Sequence, residues 1–271
     1  MAKFYIERKF SAVFIECRQR GADNCAEMNL LVCDLDGTLT RTNAVDEECF
    51  VQAFADVFGI QDMNTTWSEY DHVTDLGVLH QVFQTTYSRP PQLHEVLRFG
   101  ECFVGLLGDR HTADLDGFNP IPGAASLLLN LINHSGWRVA IATGSLEVSA
   151  KFKIRASLLP ANDIPAAFAE DGPSREAIVR AAIERAKLQY HESQFERIVS
   201  IGDAVWDVRT ARRLELPFVG VAAGHRAALL RNSGALCIIE DFLNHEHCMD
   251  CLESAEIPRP EDDKDRKSPE I

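Results

Sequence analysis

No run of about 18 apolar residues occurs in the 271-residue sequence, so no segment reads as a membrane-spanning helix. Basic residues are outnumbered, with 27 Lys and Arg against 41 Asp and Glu, and the formal net charge is -14. That balance disfavours non-specific binding to nucleic acid or to an anionic membrane, both of which attract basic surfaces. The eight cysteines lack a regular framework, and Cys248 and Cys251 form the only C-x-x-C pair. With no secretory signal ahead of them, reduced thiols and a cytoplasmic location are expected. Glu7, Glu16, Asp23 and Glu27 weaken a transit-peptide reading of the first 28 residues. His245, His247, Cys248 and Cys251 are crowded together with no second ligand pair at zinc-site spacing. Apolar material is not scarce: hydrophobic residues make up 46%, enough for a large core or a core with a smaller insert.

Short apolar runs recur along the chain and end at polar or small residues. Leu30 to Cys33 is the first, followed by Arg138–Ala142, Ala166–Ala169, Ile198–Ile201, Phe218–Ala222 and Leu236–Ile239. Runs of this kind suit strands buried on both faces. Helical segments lie between most of them: Ala124–Ile132, Leu146–Leu159, Arg175–Leu188, Val205–Leu214 and Ala227–Asn232. Strands alternating with helices predict an α/β fold, a doubly wound parallel sheet with helices on both faces. From Arg41 to Asn119 no buried strand is evident and helical spacing dominates, so this stretch reads as a helical insert. Its first helix is expected to start near Asn43 and to end at Gly59. A last helix is expected within Asp241–Glu253; Phe4 to Ile15 alternates loosely and has no assignable role.

Three strand ends carry chemistry. Asp34 and Asp36, two positions apart, can aim both carboxylates at one region, where joint ionisation requires a proton or a cation between them. Gly37 permits a sharp turn, and Thr38 offers a hydroxyl or amide to an anion. Asp203 and Asp207 follow a second strand and share a face if a helix begins just after Gly202. Thr143, Gly144 and Ser145 end a third strand and lead into a helix, a ready anion site. Oxygen donors without His or Cys favour Mg²⁺ over zinc. Acids for a metal beside amides and a hydroxyl for an anion fit phosphoryl transfer.

The run Asp34-Leu35-Asp36-Gly37-Thr38-Leu39-Thr40 resembles the first motif of the haloacid dehalogenase superfamily; Thr143 resembles the second and Gly202-Asp203 to Asp207 the fourth. The resemblance implies a Rossmann-like core with an inserted α-helical cap, similar to phosphoglycolate phosphatase-like and β-phosphoglucomutase-like members. It implies that Asp34 is the nucleophile, transiently phosphorylated, and that Asp36 protonates the leaving group and later activates water. Asp34, the backbone carbonyl of Asp36 and Asp203 would hold Mg²⁺, Asp207 would orient a basic residue, and Gly37, Thr38, Thr143 and Gly144 would meet the substrate. The third motif supplies a Lys or Arg, for which Arg175 is the first candidate, with Lys151 and Lys153 as alternatives.

The implied organisation assigns 1–28 to an extension, 29–40 and 120–245 to the core, 41–119 to the cap and 246–271 to an acidic tail, disordered beyond 257. The expected function is a Mg²⁺-dependent phosphatase acting on a small phosphorylated metabolite, as a monomer or homodimer, with no nucleic-acid or membrane partner. The alternatives are a phosphomutase using the same intermediate and a non-catalytic binding protein on the same fold. Phosphonate cleavage is disfavoured because no lysine occurs from Arg41 to Asn119 to form a Schiff base, and dehalogenation because a halide needs no acid at Asp36. Arg89 and Arg98 are candidates for facing substrate.

Overall fold

The computed structural model describes residues 28–260 apart from residue 135. The chain is built on β1 (Asn29–Cys33), whose side chains divide strictly by parity. Leu31 and Cys33 enter one hydrophobic cluster, and Leu30 and Val32 enter another on the opposite face. The other strands are β2 (Trp137–Ala142), β3 (Ala166–Ala167), β4 (Ile198–Gly202), β5 (Phe218–Val221) and β6 (Cys237–Ile239). They form one six-stranded sheet, all parallel, in the order β3-β2-β1-β4-β5-β6. This is the doubly wound α/β fold that the alternating pattern implies. The strand order reverses between β1 and β4, and it is there, outside the carboxyl ends, that such sheets bind ligands.

Three helices fill the span after β1: α1 (Asn43–Phe58), α2 (Asp75–Tyr87) and α3 (Leu93–Ala113). Phe50, Phe54, Phe83, Phe99 and Phe103 are buried in one cluster with half-buried Phe58 against them, their rings meeting mostly edge-on at 4.8–6.0 Å. Gly59 ends α1 in the left-handed conformation (φ 71°), its N–H donating to Ala55 O at 2.9 Å and the following Ile60 N–H to Phe54 O at 3.3 Å. The polypeptide crosses from the sheet to these helices and back along two adjacent segments. Arg41 N–H donates to Asn119 O at 2.9 Å and Ile121 N–H donates to Leu39 O at 2.9 Å.

The remaining helices cover the sheet: α4 (Ala124–His134), α5 (Glu147–Ala156), α6 (Arg175–Tyr190), α7 (Val205–Arg213), α8 (Gly224–Asn232) and α9 (His245–Ser254). Ser174 caps α6 by accepting from Ala177 N–H. The tail boundary expected at 246 falls inside α9, which buries Cys248, Cys251 and Leu252 in the cluster containing Leu31 and Cys33. The sulfur-rich segment is thus core rather than tail up to its last turn, because its apolar side chains at helical spacing offset the acidic ones between them. The disorder expected beyond 257 does not begin there, since Arg259 N–H donates to Gly234 O at 2.9 Å; the expectations for Phe4–Ile15 and for the sequence after 260 lie outside the described residues.

Candidate active site

Asp34 follows β1 directly, and its N–H is bound to Ile201 O of β4 at 3.0 Å, which fixes it at the reversal of strand order. The next residues turn sharply. Gly37 has φ 77°, and a Cβ there would stand 2.0 Å from Asp203 Oδ2, so only glycine fits. The turn returns Thr38 Oγ1 to Asp34 Oδ2 at 3.4 Å. Gly202 is similarly constrained, since a Cβ would meet Asp207 Cβ at 2.6 Å.

Asp203 and Asp207 do not share a helical face. Helix α7 begins at Val205, leaving Asp203 in the preceding loop and Asp207 in the first turn, where its Oδ2 accepts from Ala204 N–H at 3.1 Å. The carboxylates meet nonetheless: oxygens of Asp34, Asp203 and Asp207 all lie within 4.8 Å of one another. Among the described residues this is the one cluster of three acids, histidines or cysteines so arranged. Burial is the largest cause of their raised pKa values, about 8 for Asp34, about 7 for Asp203 and about 6 for Asp207. The Asp207 charge adds to the effect at Asp34, and the Asp34 charge to that at Asp203. Such a buried set of hard oxygen donors fits a divalent cation of the Mg²⁺ type, whose charge would let all three ionise.

Arg175 is the first residue of α6, and its side chain runs back across the sheet ends. Nη1 donates to Asp207 Oδ1 at 2.8 Å and approaches Asp34 Oδ1 at 3.4 Å, while Nε donates to Val73 O at 2.9 Å. Of the three candidate cations it alone touches Asp34 and Asp207. Lys151 is exposed and pairs with Glu147. Lys153 points into the protein instead, with no side-chain exposure, and donates to Asp36 Oδ2 at 2.6 Å, Asp46 Oδ1 at 2.5 Å and Ser145 Oγ at 2.8 Å. Asp36 also accepts from Thr42 Oγ1 at 2.5 Å and from Ser145 Oγ at 2.9 Å. Burial alone would raise the Asp36 carboxyl, but Lys153 and these donors bring it below the usual carboxylate range.

Thr143 closes the constellation from β2, its Oγ1 accepting from Ser145 N–H at 3.1 Å. Asp34, Asp36, Thr143, Gly144, Arg175 and Asp203 line one cavity of about 540 Å³ between the sheet ends and helices α1 and α2. Gly37, Thr38 and Asp207 support it from behind through the contacts given above. Arg89 and Arg98 do not line it: Arg89 is engaged bidentately by Glu95 at 2.7 Å, and Arg98 is exposed.

Several residues at the site escaped the sequence reading. Asn43, expected as a helix start, donates to Asp203 Oδ2 at 2.9 Å, and Thr42, at the N-cap position, spends its hydroxyl on Asp36. Arg226 in the first turn of α8 pairs with Asp203, and Asp46 pairs with Lys153. For Lys153 a signal exists: it lies on the apolar face of α5 with Ala150 and Ile154, where an uncompensated lysine would be costly.

The family model for haloacid dehalogenase-like hydrolases matches residues 28–214. The chain belongs to the haloacid dehalogenase-like hydrolase family. Its fold matches a hydrolase from Pseudomonas syringae with 23% identity and a TM-score of 0.63, covering 83% of this chain and 99% of that one. It also matches CbbY from Rhodobacter sphaeroides in complex with phosphate (19%, TM-score 0.58, covering 80% and 96%). A β-phosphoglucomutase-like protein from Bacteroides vulgatus matches with 15% identity and a TM-score of 0.57, covering 85% and 91%. No curated protein sequence matches the chain. As a hydrolase of this family, it carries the acidic cluster at the sheet reversal, and no helix among the described residues is long and apolar enough to cross a membrane.

Proposed function

We propose that the protein is a Mg²⁺-dependent phosphatase that hydrolyses a small phosphomonoester through an aspartyl-phosphate on Asp34. The observation that carries this reading is the convergence on Asp34 of two further buried carboxylates and the Arg175 guanidinium at the mouth of a substrate-sized cavity. Asp34, Asp203 and the Asp36 carbonyl would hold the metal, with Asp207 committed to Arg175 and to the Ala204 N–H. The ion, when bound, neutralises charge on the phosphoryl oxygens and on the attacking carboxylate. Arg175 holds another part of the phosphoryl charge, and Thr143 and Gly144 bind its oxygens.

An Asp34 oxygen attacks phosphorus, the bond to the alcohol oxygen breaks, and Asp36 delivers a proton to that oxygen. Asp36 then removes a proton from water, whose oxygen attacks phosphorus and releases phosphate with Asp34 regenerated. Lys153 opposes protonation of Asp36, so acting as the acid requires Asp36 to turn from Lys153 toward the cavity. Phosphate release from a broad panel of phosphomonoesters with Mg²⁺ tests the reading, and beryllofluoride is expected to bind at Asp34. Turnover of none of the panel, or equal turnover by Asp34→Asn, refutes it.

A further inference from the structure

The cavity has two unlike walls. Its cations, Arg175 and Arg226, belong to the sheet side, where they face Asp34, Asp207 and Asp203. The opposite wall is built from α1, from Trp67 and from the segment leading into α2. It presents Asp46, Glu47, Glu48 and Asp75 together with Trp67 and Phe50, and not one Lys or Arg. The deficit is built into the helical unit: residues 41–119 contain no lysine, Arg89 is bound to Glu95, and Arg110 pairs with Glu48 at 2.8 Å without lining the cavity. Asp46 is balanced by Lys153 behind the wall and Glu48 by Arg110, while Asp75 accepts from Leu146 N–H at 2.8 Å and burial pushes its carboxyl well above the usual carboxylate range, so the uncompensated charge of this wall is that of Glu47. Glu47 is held differently, by a neutral donor: Trp67 Nε1–H donates to its Oε2 at 2.7 Å, which fixes the carboxylate beside the indole and leaves its charge intact.

From this asymmetry we propose that the cavity selects phosphomonoesters whose alcohol carries no second anionic group and favours alcohols that carry an ammonium. The inference rests on the phosphatase reading and adds the substrate class. A phosphoryl group seated against Asp34 and Arg175 turns its alcohol toward the acidic wall. There a carboxylate or a second phosphate meets like charge, and no basic side chain of the helical unit compensates it. An ammonium at the same place meets the Glu47 carboxylate and the Trp67 ring, a pairing of charge and aromatic face that suits cations. One carboxylate at partly solvated contact distance is worth roughly tenfold in either direction.

The test compares kcat/KM, with Mg²⁺, for aminoethyl phosphate, glycerol phosphate and phosphoglycolate, with p-nitrophenyl phosphate as the reference ester. The expected order is ammonium above neutral above carboxylate, with about a hundredfold between the extremes. Glu47→Gln keeps an acceptor for the Trp67 N–H and removes the charge, so it is expected to compress that ratio chiefly through KM. Phosphoglycolate turned over as well as aminoethyl phosphate overturns the proposal, as does a ratio unchanged by E47Q. If Arg226 instead recruits an anionic alcohol, phosphoglycolate leads and R226Q removes its lead, which also overturns it. Absence of Asp34-dependent release from every ester, p-nitrophenyl phosphate included, identifies failure of the phosphatase reading itself.

Discussion

Replacing Lys153 with methionine tests the buried charge network most directly. The side chain is fully enclosed, and its ammonium is shared by Asp36 at 2.6 Å, Asp46 at 2.5 Å and the Ser145 hydroxyl at 2.8 Å. Burial by itself lowers a lysine pKa, but the carboxylates of Asp36, Asp46 and Asp75 raise this one above its ordinary value. Methionine fills nearly the same volume, so the loss reports charge rather than a cavity. Two facing carboxylates are then left without their cation in a buried place, a change that costs about 3–5 kcal/mol. For a chain of this size that corresponds to a fall in Tm of roughly 6–20 °C. Urea unfolding followed by circular dichroism at neutral pH measures it. Asp46→Asn in the Lys153→Met background removes one of the stranded charges and is expected to recover part of the loss, giving a coupling energy of about 0.5–3 kcal/mol in the double-mutant cycle. A cost under about 1 kcal/mol, or no recovery in the double variant, would refute the account of Lys153 as the common counter-ion.

Four further outcomes are expected. Asp36→Asn loses about 10²–10⁴ in kcat while retaining phosphate binding, checked by steady-state kinetics and product inhibition; an unchanged kcat removes Asp36 from the proton transfer. Gly37→Ala is destabilised by about 1–3 kcal/mol and loses Mg²⁺ affinity, because the new methyl displaces Asp203; thermal melts and a metal titration read both effects. Arg175→Lys, which keeps charge but not the reach to Asp34, Asp207 and Val73 O together, lowers kcat/KM by tenfold or more; near-wild-type activity would mean that a point charge suffices. Finally, the metal-free protein is pH-sensitive. Asp34, Asp203 and Asp207 titrate at about 8, 7 and 6 when folded and at about 4 when unfolded, so the stability they lend below pH 4 is lost progressively as pH rises from about 4 to 8. Melts in EDTA are expected to fall over that range and Mg²⁺ to reverse the fall; parallel profiles with and without metal would exclude Asp34 and Asp203 as its ligands.

The sheet was legible because its strands are buried on both faces, and continuous apolar runs such as Leu30–Cys33 have no other economical place in a chain of this length. The helical span was legible for the complementary reason, the 3.6-residue recurrence of Cys49, Phe50, Ala53 and Phe54. What escaped was pairing between elements. A helix-start pattern tells that Thr42 and Asn43 stand near an N-terminus, but propensity cannot reveal that their side chains leave the helix for Asp36 and Asp203. The spacing of Asp203 and Asp207 suggested one helical face, whereas the turn at Ala204 delays the helix and brings the two carboxylates together by another route. The arginines singled out in the helical span were plausible by charge alone, and Glu95 accounts for Arg89. Long-range partners of this kind carry no local periodicity, so only the folded arrangement exposes them.

The two crossings between sheet and helices run side by side, tied by the Arg41 to Asn119 and Ile121 to Leu39 hydrogen bonds. A segment whose ends are clasped together imposes a closure cost that grows only slowly with its length, about 0.6 kcal/mol per doubling. The span from 42 to 118 can therefore be lengthened or trimmed in its outer helices while Asp34 keeps its place, provided the partners it lends the site are retained: Thr42 to Asp36, Asn43 to Asp203, Asp46 to Lys153 and Val73 O to Arg175. Selectivity and bond-breaking can thus drift at different rates within one chain, and a transplant of this module onto a related sheet is expected to carry its preference for the alcohol with it.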